Sequence, residues 1–586
     1  MRSRVLPLVA AILAAGCVLP GSTLSPDPSG APDVPFSDLA SSAAETVANA
    51  DGSVALSFEG TSGGSAAAIV RGQQVDDAPL GTFDLDERVG YAEVQFQWPA
   101  DTTSDAAAVL IDAEGRLQCA ARNEQPCTVP YPIGGSGKLT WGVWVRAVLG
   151  AIAPGTPVGA TVILHPPSHM RIGDPRAGTD PAISFRVSDT GVDGGEDNIG
   201  VLGDGTLFTQ KGTSTMRSTD DGGTWERVSP PGNDRETLDP MLFVDSVRGT
   251  VYVDHLYVGC SVLSFSKDAG ATWITNPAAC GLPGDDHQKI AAGPNPLPLP
   301  GIAAVYYSFS SFAQGAWAAH SYDGGLTFQP TPIVGLTDGR RYANTGPIYA
   351  DEANNVYVPY YMCDKDGYMG AGVSHDSGAT WTFVVVAEQP GECTDPDPGL
   401  WSDTEGTVYL AYHREDGIYY AFSQDLGETW SAPVKVSPET LLSFVHVDMV
   451  AGDAGRIAIV YRATPDTDKG PDLADGWAAW HLYVTFVENA TSASPTIRTA
   501  LVTDPADPVQ RGPLCTGGIG CFGGSRNLVD FIDIAVGPDG RVYPTFSDGC
   551  DATCPTPAES RSRLGPVGIE VDGPRLFVDK APWAAS

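Results

Sequence analysis

Apolar and polar residues alternate from about residue 48 to 168, in SVALSFEG, AAAIVRG, YAEVQFQWP, AAVLIDAEG, LTWGVWVRAVL and GATVILHPP. A period of two with Gly and Pro punctuation predicts half-buried strands, and about 120 residues of it predict a β-sandwich. Beyond a connector rich in Pro and Gly (PPSHMRIGDPRAGTDPA) the pattern becomes cyclic. An apolar strand, a turn with Gly or Asn, and a second strand with aromatics recur. The copies read NIGVLGDGTLF from Asn198, PMLFVDSVRGTVYVDHL from Pro240, KIAAGPNPLPLPGIAAVYYSF from Lys289, PIYADEANNVYVPYY from Pro347 and PGLWSDTEGTVYLAYH from Pro398. VDMVAGDAGRIAIVYR from Val447 and IDIAVGPDGRVYPTF from Ile532 bring the number to seven. Repeats of this length stack into blades around an axis, because one unit alone leaves its apolar faces in water.

A second phrase rides on the first: STDDGGTW from Ser218, SKDAGATW from Ser266, SYDGGLTF from Ser321, SHDSGATW from Ser374 and SQDLGETW from Ser423. Each follows a strand-like run and suits a hairpin turn whose Asp accepts backbone N–H bonds. Gly222, Gly270, Gly325, Gly378 and Gly427 supply a backbone that a Cβ would oppose. The phrase resembles the Asp box, or BNR repeat, of sialidase-like β-propellers. That resemblance covers residues 180–586. It implies an all-β chain, a seven-bladed propeller (six-bladed as the alternative) preceded by the sandwich. It also puts the boxes on the face away from an active site, so Asp220, Asp268, Asp323, Asp376 and Asp425 are expected to be structural. ISFRVS at Ile183 to Ser188 is expected to join the last blade and close the ring.

In the family, three Arg clamp a sugar carboxylate, one of them in a Phe-Arg-Ile-Pro motif entering the first blade. Here that place reads Glu196, Asp197, Asn198, Ile199, and Arg186 in SFRVS lacks the Pro. No Tyr and Glu pair is singled out as nucleophile and base. The starts of the innermost strands instead carry Glu196 and Asp197, Asp239, Asp286 and His287, Asn344, Asp395 and Asp397, His446 and Asp448, and Asp530 and Asp533. One reading makes these acids turn caps. The other gathers them at a pore mouth that repels sialic acid and attracts a cation or a neutral sugar. Paired carboxylates would serve glycoside hydrolysis; His287 and His446 with nearby Asp would hold a divalent cation.

The formal charge of −37 over 586 residues argues against nucleic acid and other polyanions as partners. MRSR followed by VLPLVAAILAAGC reads as a secretory signal ending in a lipobox-like Cys17. Residues 18–47, rich in Pro, Ser, Ala and Asp, read as a tether. The other ten cysteines fall into neighbouring couples: Cys119 and Cys127, Cys260 and Cys280, Cys363 and Cys393, Cys515 and Cys521, Cys550 and Cys554. Such couples suit disulfides in an oxidising compartment, with zinc at Cys550 and Cys554 as the competing reading. The expectation is an exported, lipid-anchored (alternatively secreted) monomer of four parts: signal 1–17, tether 18–47, sandwich 48–168 and propeller 180–586. It would touch membrane only through its lipid. It would bind an extracellular glycan or protein ligand, or alternatively hydrolyse glycosides.

Overall fold

The structure is a computed structural model. It describes residue 39 and residues 45–585, apart from 62–64, 67–78, 98–104, 123–124, 133–134, 150, 153–155, 233–237, 257–260, 278, 280–284, 312–314, 334–341, 363–366, 389–396, 517–525, 529, 551–553, 555 and 558–563. Cys17, the signal and most of the tether therefore lie outside the described residues, as do Cys260, Cys280, Cys363, Cys393 and Cys521. Among the described residues the regular elements are strands, apart from short 3₁₀ turns such as Pro167–His169 and Pro471–Leu473.

The alternating N-terminal runs form two antiparallel sheets that share one core. Glu45–Ala48, Val54–Thr61, Pro157–His165, Tyr91–Gln97 and Cys127–Pro130 lie in that order in one sheet. Gly81–Leu85, Leu139–Leu149, Asp105–Ile111 and Leu117–Ala121 make the other. In Pro157–His165 every second side chain (Val158, Ala160, Val162, Leu164) is buried, the burial that a period of two requires. These residues meet Leu56, Phe58, Phe83, Leu110 and Trp141 between the sheets. A disulfide between Cys119 and Cys127 ties a strand of one sheet to a strand of the other.

From residue 184 onward the described strands form seven antiparallel sheets in chain order. Their innermost strands are Asn198–Val201, Leu238–Asp245, Asp285–Gly293, Tyr342–Thr345 with Tyr349–Ala350, Gly399–Ser402, Ser443–Ala451 and Asp533–Val536. Each sheet neighbours the next through these strands, except that the fourth reaches the fifth through its second strand, Val356–Met362, and the last neighbours the first. Apolar seams repeat that order. Phe208 meets Val244 between the first two sheets, and Tyr543 meets Ile199 and Leu207 between the last and the first. The ring is held by its seams, which bury faces that no single sheet could cover. Ser184–Asp193 pairs with Leu564–Asp572, so the first strand of the ring completes its last sheet, as the Ile183 to Ser188 segment suggested.

All five octapeptides fold as one turn. In the first, Ser218 Oγ donates to Asp220 Oδ1 (2.8 Å) and accepts from Gly222 N (2.8 Å). Asp220 also accepts from Thr224 N (2.8 Å) and Thr224 Oγ1 (2.8 Å). The circuit repeats at Asp268, Asp323, Asp376 and Asp425. The aromatic that ends each turn packs into the seam with the preceding sheet; Trp225 donates to Ser188 Oγ and Trp273 to Val228 O. Cys550 and Cys554 are joined as a disulfide, which removes the zinc reading, and Cys515 is also disulfide-bonded.

The N-terminal pair of sheets packs on the sixth ring sheet. Thr128 Oγ1 accepts from Gly476 N (2.7 Å), Tyr91 lies 4.5 Å from the Trp477 ring, and Trp477 donates to Arg171 O.

Candidate functional site

An inner strand begins where the chain turns from the rim of one sheet to the axis of the next. At four of the described starts a residue other than Gly has left-handed backbone: Glu196 (φ 52°), Asp239 (48°), His287 (54°) and His446 (51°). At Asp239, His287 and His446 the strand pairing slips by a residue, which marks β-bulges. Such backbone costs about 1 kcal/mol or more per residue, and the cost falls on corresponding positions around one mouth. All four side chains are buried.

Several mouth acids staple one inner strand to the next. Asp239 accepts from His287 N (2.9 Å), and Asp533 of the last sheet accepts from Ile199 N of the first (2.8 Å). Asn198 does the same for Leu242 N (2.8 Å). The turn-cap reading is thus met by bonds between sheets as well as within them.

The acids are not alone. Asp397 holds His287 Nε2 at 2.7 Å and Lys289 Nζ at 2.9 Å, and the Lys289 ammonium stands 3.2 Å above the Phe531 ring. Burial is the largest influence on His287 and pushes it down, but the charge and hydrogen bond of Asp397, together with the Asp239 charge, leave the imidazole above its ordinary value. Asp197 pairs with fully buried Lys211 at 3.1 Å and accepts from Ser547 Oγ. Arg462, also fully buried, meets His446 Nδ1, and burial lowers it to about 10. Arg526 grips Asp530 with both terminal nitrogens.

Two carboxyl pairs complete the mouth. Burial and the neighbouring Asp533 charge raise Asp448 well above the carboxylate range; burial also raises Asp533, with which it shares a hydrogen bond. Glu196 is raised by burial and then by Asp239 and Asp530. Each pair suits one shared proton, since like charges in hydrogen-bond contact cannot both stay ionised. Below the mouth runs an axial cavity of about 840 Å³. Lys289, Asp397, Asp448 and Asp533 line one end, and Val201, Leu242 and Ile348 are among its apolar walls. Trp583 lines it as well, on a C-terminal tail pinned by Ala585 N to Gly203 O.

The structure therefore brings Glu196, Asp197, Asp239, His287, Asp397, His446, Asp448 and Asp533 to one mouth. The side chain of Asp286 and those of Asn344 and Asp395 lie outside the described residues. A purely negative mouth is corrected by Lys211, Lys289, Arg462 and Arg526, which sequence reading missed. Lys289 stands three residues after Asp286, inside a run read only as apolar strand. Lys211 and Arg462 sit at the far ends of second strands, where only the strand pairing shows that they return to the mouth. Arg186, on the outer strand Ser184–Asp193, is outside the site; it donates to Asp221 O in the first octapeptide turn.

No protein-family model matches the chain, and no curated protein matches its sequence. Similar solved structures include a protein of unknown function from Dyadobacter fermentans, with 13% identity, 67% of this chain and 100% of that one covered, and a TM-score of 0.37. A Hadza microbial sialidase shares 12% identity over 83% of this chain and 95% of its own, at a TM-score of 0.37. The six-bladed fucose-recognising lectin of Aleuria aurantia shares 13% over 55% and 96%, at 0.33. At such scores the likenesses assign neither activity nor ligand. The propeller-like arrangement stands on the ring of sheets and seams.

Proposed function

We propose that this is an exported, surface-anchored, seven-bladed sialidase-like propeller whose mouth binds a hydroxyl-rich extracellular glycan, or a protein surface, by hydrogen bonds. In this reading residues 1–17 are the signal, Cys17 carries the lipid, 18–47 tether the body, 48–168 form an accessory sandwich and 180–586 form the propeller, as a monomer. One observation carries the binding assignment: at the four left-handed starts, Glu196, Asp239, His287 and His446 hold buried polar groups around one axis, while among the described residues each nearby cation is matched by an acid or held in a hydrogen bond. A site of that kind suits a neutral ligand better than a carboxylate. Glycoside hydrolysis is the second reading, favoured by the raised Asp448 beside Asp533, an acid next to a potential base. The two touch, whereas a retaining pair stands about 5 Å apart, so hydrolysis requires them to separate.

Calorimetric titration with neutral and sialylated oligosaccharides tests this, together with a fluorogenic sialoside assay. Neutral sugars should bind, binding should weaken at least tenfold in Glu196→Gln with Asp239→Asn, and the sialoside should stay intact. Efficient sialoside cleavage would overturn the reading. Cys17→Ser should release the protein from the membrane fraction; unchanged retention would sink the lipid anchor.

A further inference from the structure

Outside the ring, His165 ends the strand Pro157–His165, and His169 ends the 3₁₀ turn Pro167–His169 that opens the connector. Pro166, Pro167 and Ser168 stand between them, and the two proline rings fix φ at two of these three positions, which narrows the range over which the backbone can carry the imidazoles apart. The Nδ1 atoms face each other at 3.3 Å. Two nitrogens bound to one tetrahedral zinc, each at about 2.0–2.1 Å, stand roughly 3.3 Å apart.

A third ligand group comes from another element. Asp51, on the turn between the first two strands, places a carboxylate oxygen within 4.8 Å of both imidazoles. Its Oδ1 accepts from Ser53 N (3.0 Å) and Ser53 Oγ (2.7 Å), which orients the group and leaves Oδ2 for a further partner. Behind His165, the Glu93 carboxylate lies 3.5 Å from Nε2. With the proton on Nε2, His165 turns an unprotonated Nδ1 toward His169. A carboxylate behind the distal nitrogen is the usual support of a metal-bound His. Tyr91, opposite His165 across the strands, stacks on the imidazole at 4.3 Å and 11° and touches Trp477 of the ring.

We propose that Asp51, His165 and His169 bind one divalent transition-metal ion with borderline preferences such as zinc, water filling the fourth position, and that the ion clamps the connector to the N-terminal turn beside the ring. Two imidazoles and a carboxylate suit zinc and its neighbours better than magnesium or calcium, which prefer oxygen.

The test uses the full-length protein, stripped with a chelator and dialysed against zinc chloride alone, with bound metal counted by atomic emission. One zinc per chain is expected at low micromolar free zinc. His169→Ala, at an exposed position that the fold tolerates, and Asp51→Asn should each weaken it at least tenfold. Asp239→Asn with Glu196→Gln, in the acidic mouth cluster, should leave it unchanged. Zinc binding retained in His169→Ala, loss of the zinc only in the mouth double variant, or no zinc bound at about 100 μM would overturn the site.

Discussion

At the residue scale, two environments make opposite demands on protons. The Asp of the repeated turns is a stabilised anion: hydrogen bonds from Thr272 and Thr429 hold Asp268 and Asp425 at about 2. A folded value below the unfolded one means stability that is present above about pH 4 and lost as pH falls toward 2. Melting temperature followed from pH 5 to 2 should fall more steeply in the wild type than in Asp268→Asn; parallel curves would show that the turn bonds contribute nothing. Ser374→Ala removes a buried hydroxyl that accepts from Gly378 N (2.9 Å) and donates to Asp376 (2.8 Å), and should cost on the order of 1–2 kcal/mol in urea unfolding. His287 runs the other way. Held above its ordinary value by Asp397, it contributes stability that is complete below about pH 6.5 and is lost as pH rises through its folded value. Its ring proton should titrate above 6.5 by NMR, and a midpoint below that would refute the Asp397 assignment.

At the scale of elements, the repeat was legible because it is local. The Ser, Asp, Gly, Thr and Trp (Phe328 in the third copy) that close each turn lie within eight residues, and the inner strands begin at or a few residues away from the starts of the apolar phrases. The mouth was half legible: its acids stand next to those phrases, but Lys211 and Arg462 return to it only through the pairing of first and second strands within their own sheets, and Asp448 meets Asp533 only when the sixth and seventh sheets pack together. That pairing makes a prediction. A neutral Asn at 448 can accept from Met449 N, as Asp448 Oδ1 does at 2.8 Å, and donate to Asp533 without needing a proton. Asp448→Asn should therefore leave stability at pH 7 unchanged or raise it by about 1 kcal/mol, whereas Asp448→Ala leaves a void and an unpaired backbone N–H and should lower it by about 1–3 kcal/mol. Denaturant midpoints measure both, and a loss in Asp448→Asn as large as in Asp448→Ala would mean the pair is ionised and held by other charges.

At the scale of the whole molecule, the ring and the N-terminal sheets meet through a contact that tolerates no side chain. A Cβ on Gly476 would lie 2.1 Å from the carbonyl oxygen of Thr128, and backbone on both sides has nowhere to yield. The same Gly donates to Thr128 Oγ1, and Asp475 beside it accepts from Thr467 Oγ1, so the loop is fixed to both partners. This contact was not legible beforehand, because a Gly in ADGW reads as an ordinary turn residue. Gly476→Ala should push the two bodies apart at this point while leaving each fold intact, since neither the seams of the ring nor the core around Phe58 and Trp141 includes it. Limited proteolysis should then cut the connector between residues 166 and 183 faster by about tenfold or more, and calorimetry should resolve two transitions in the variant and one in the wild type. If the connector stays protected and unfolding remains a single transition, the Thr128 contact does not couple the two bodies.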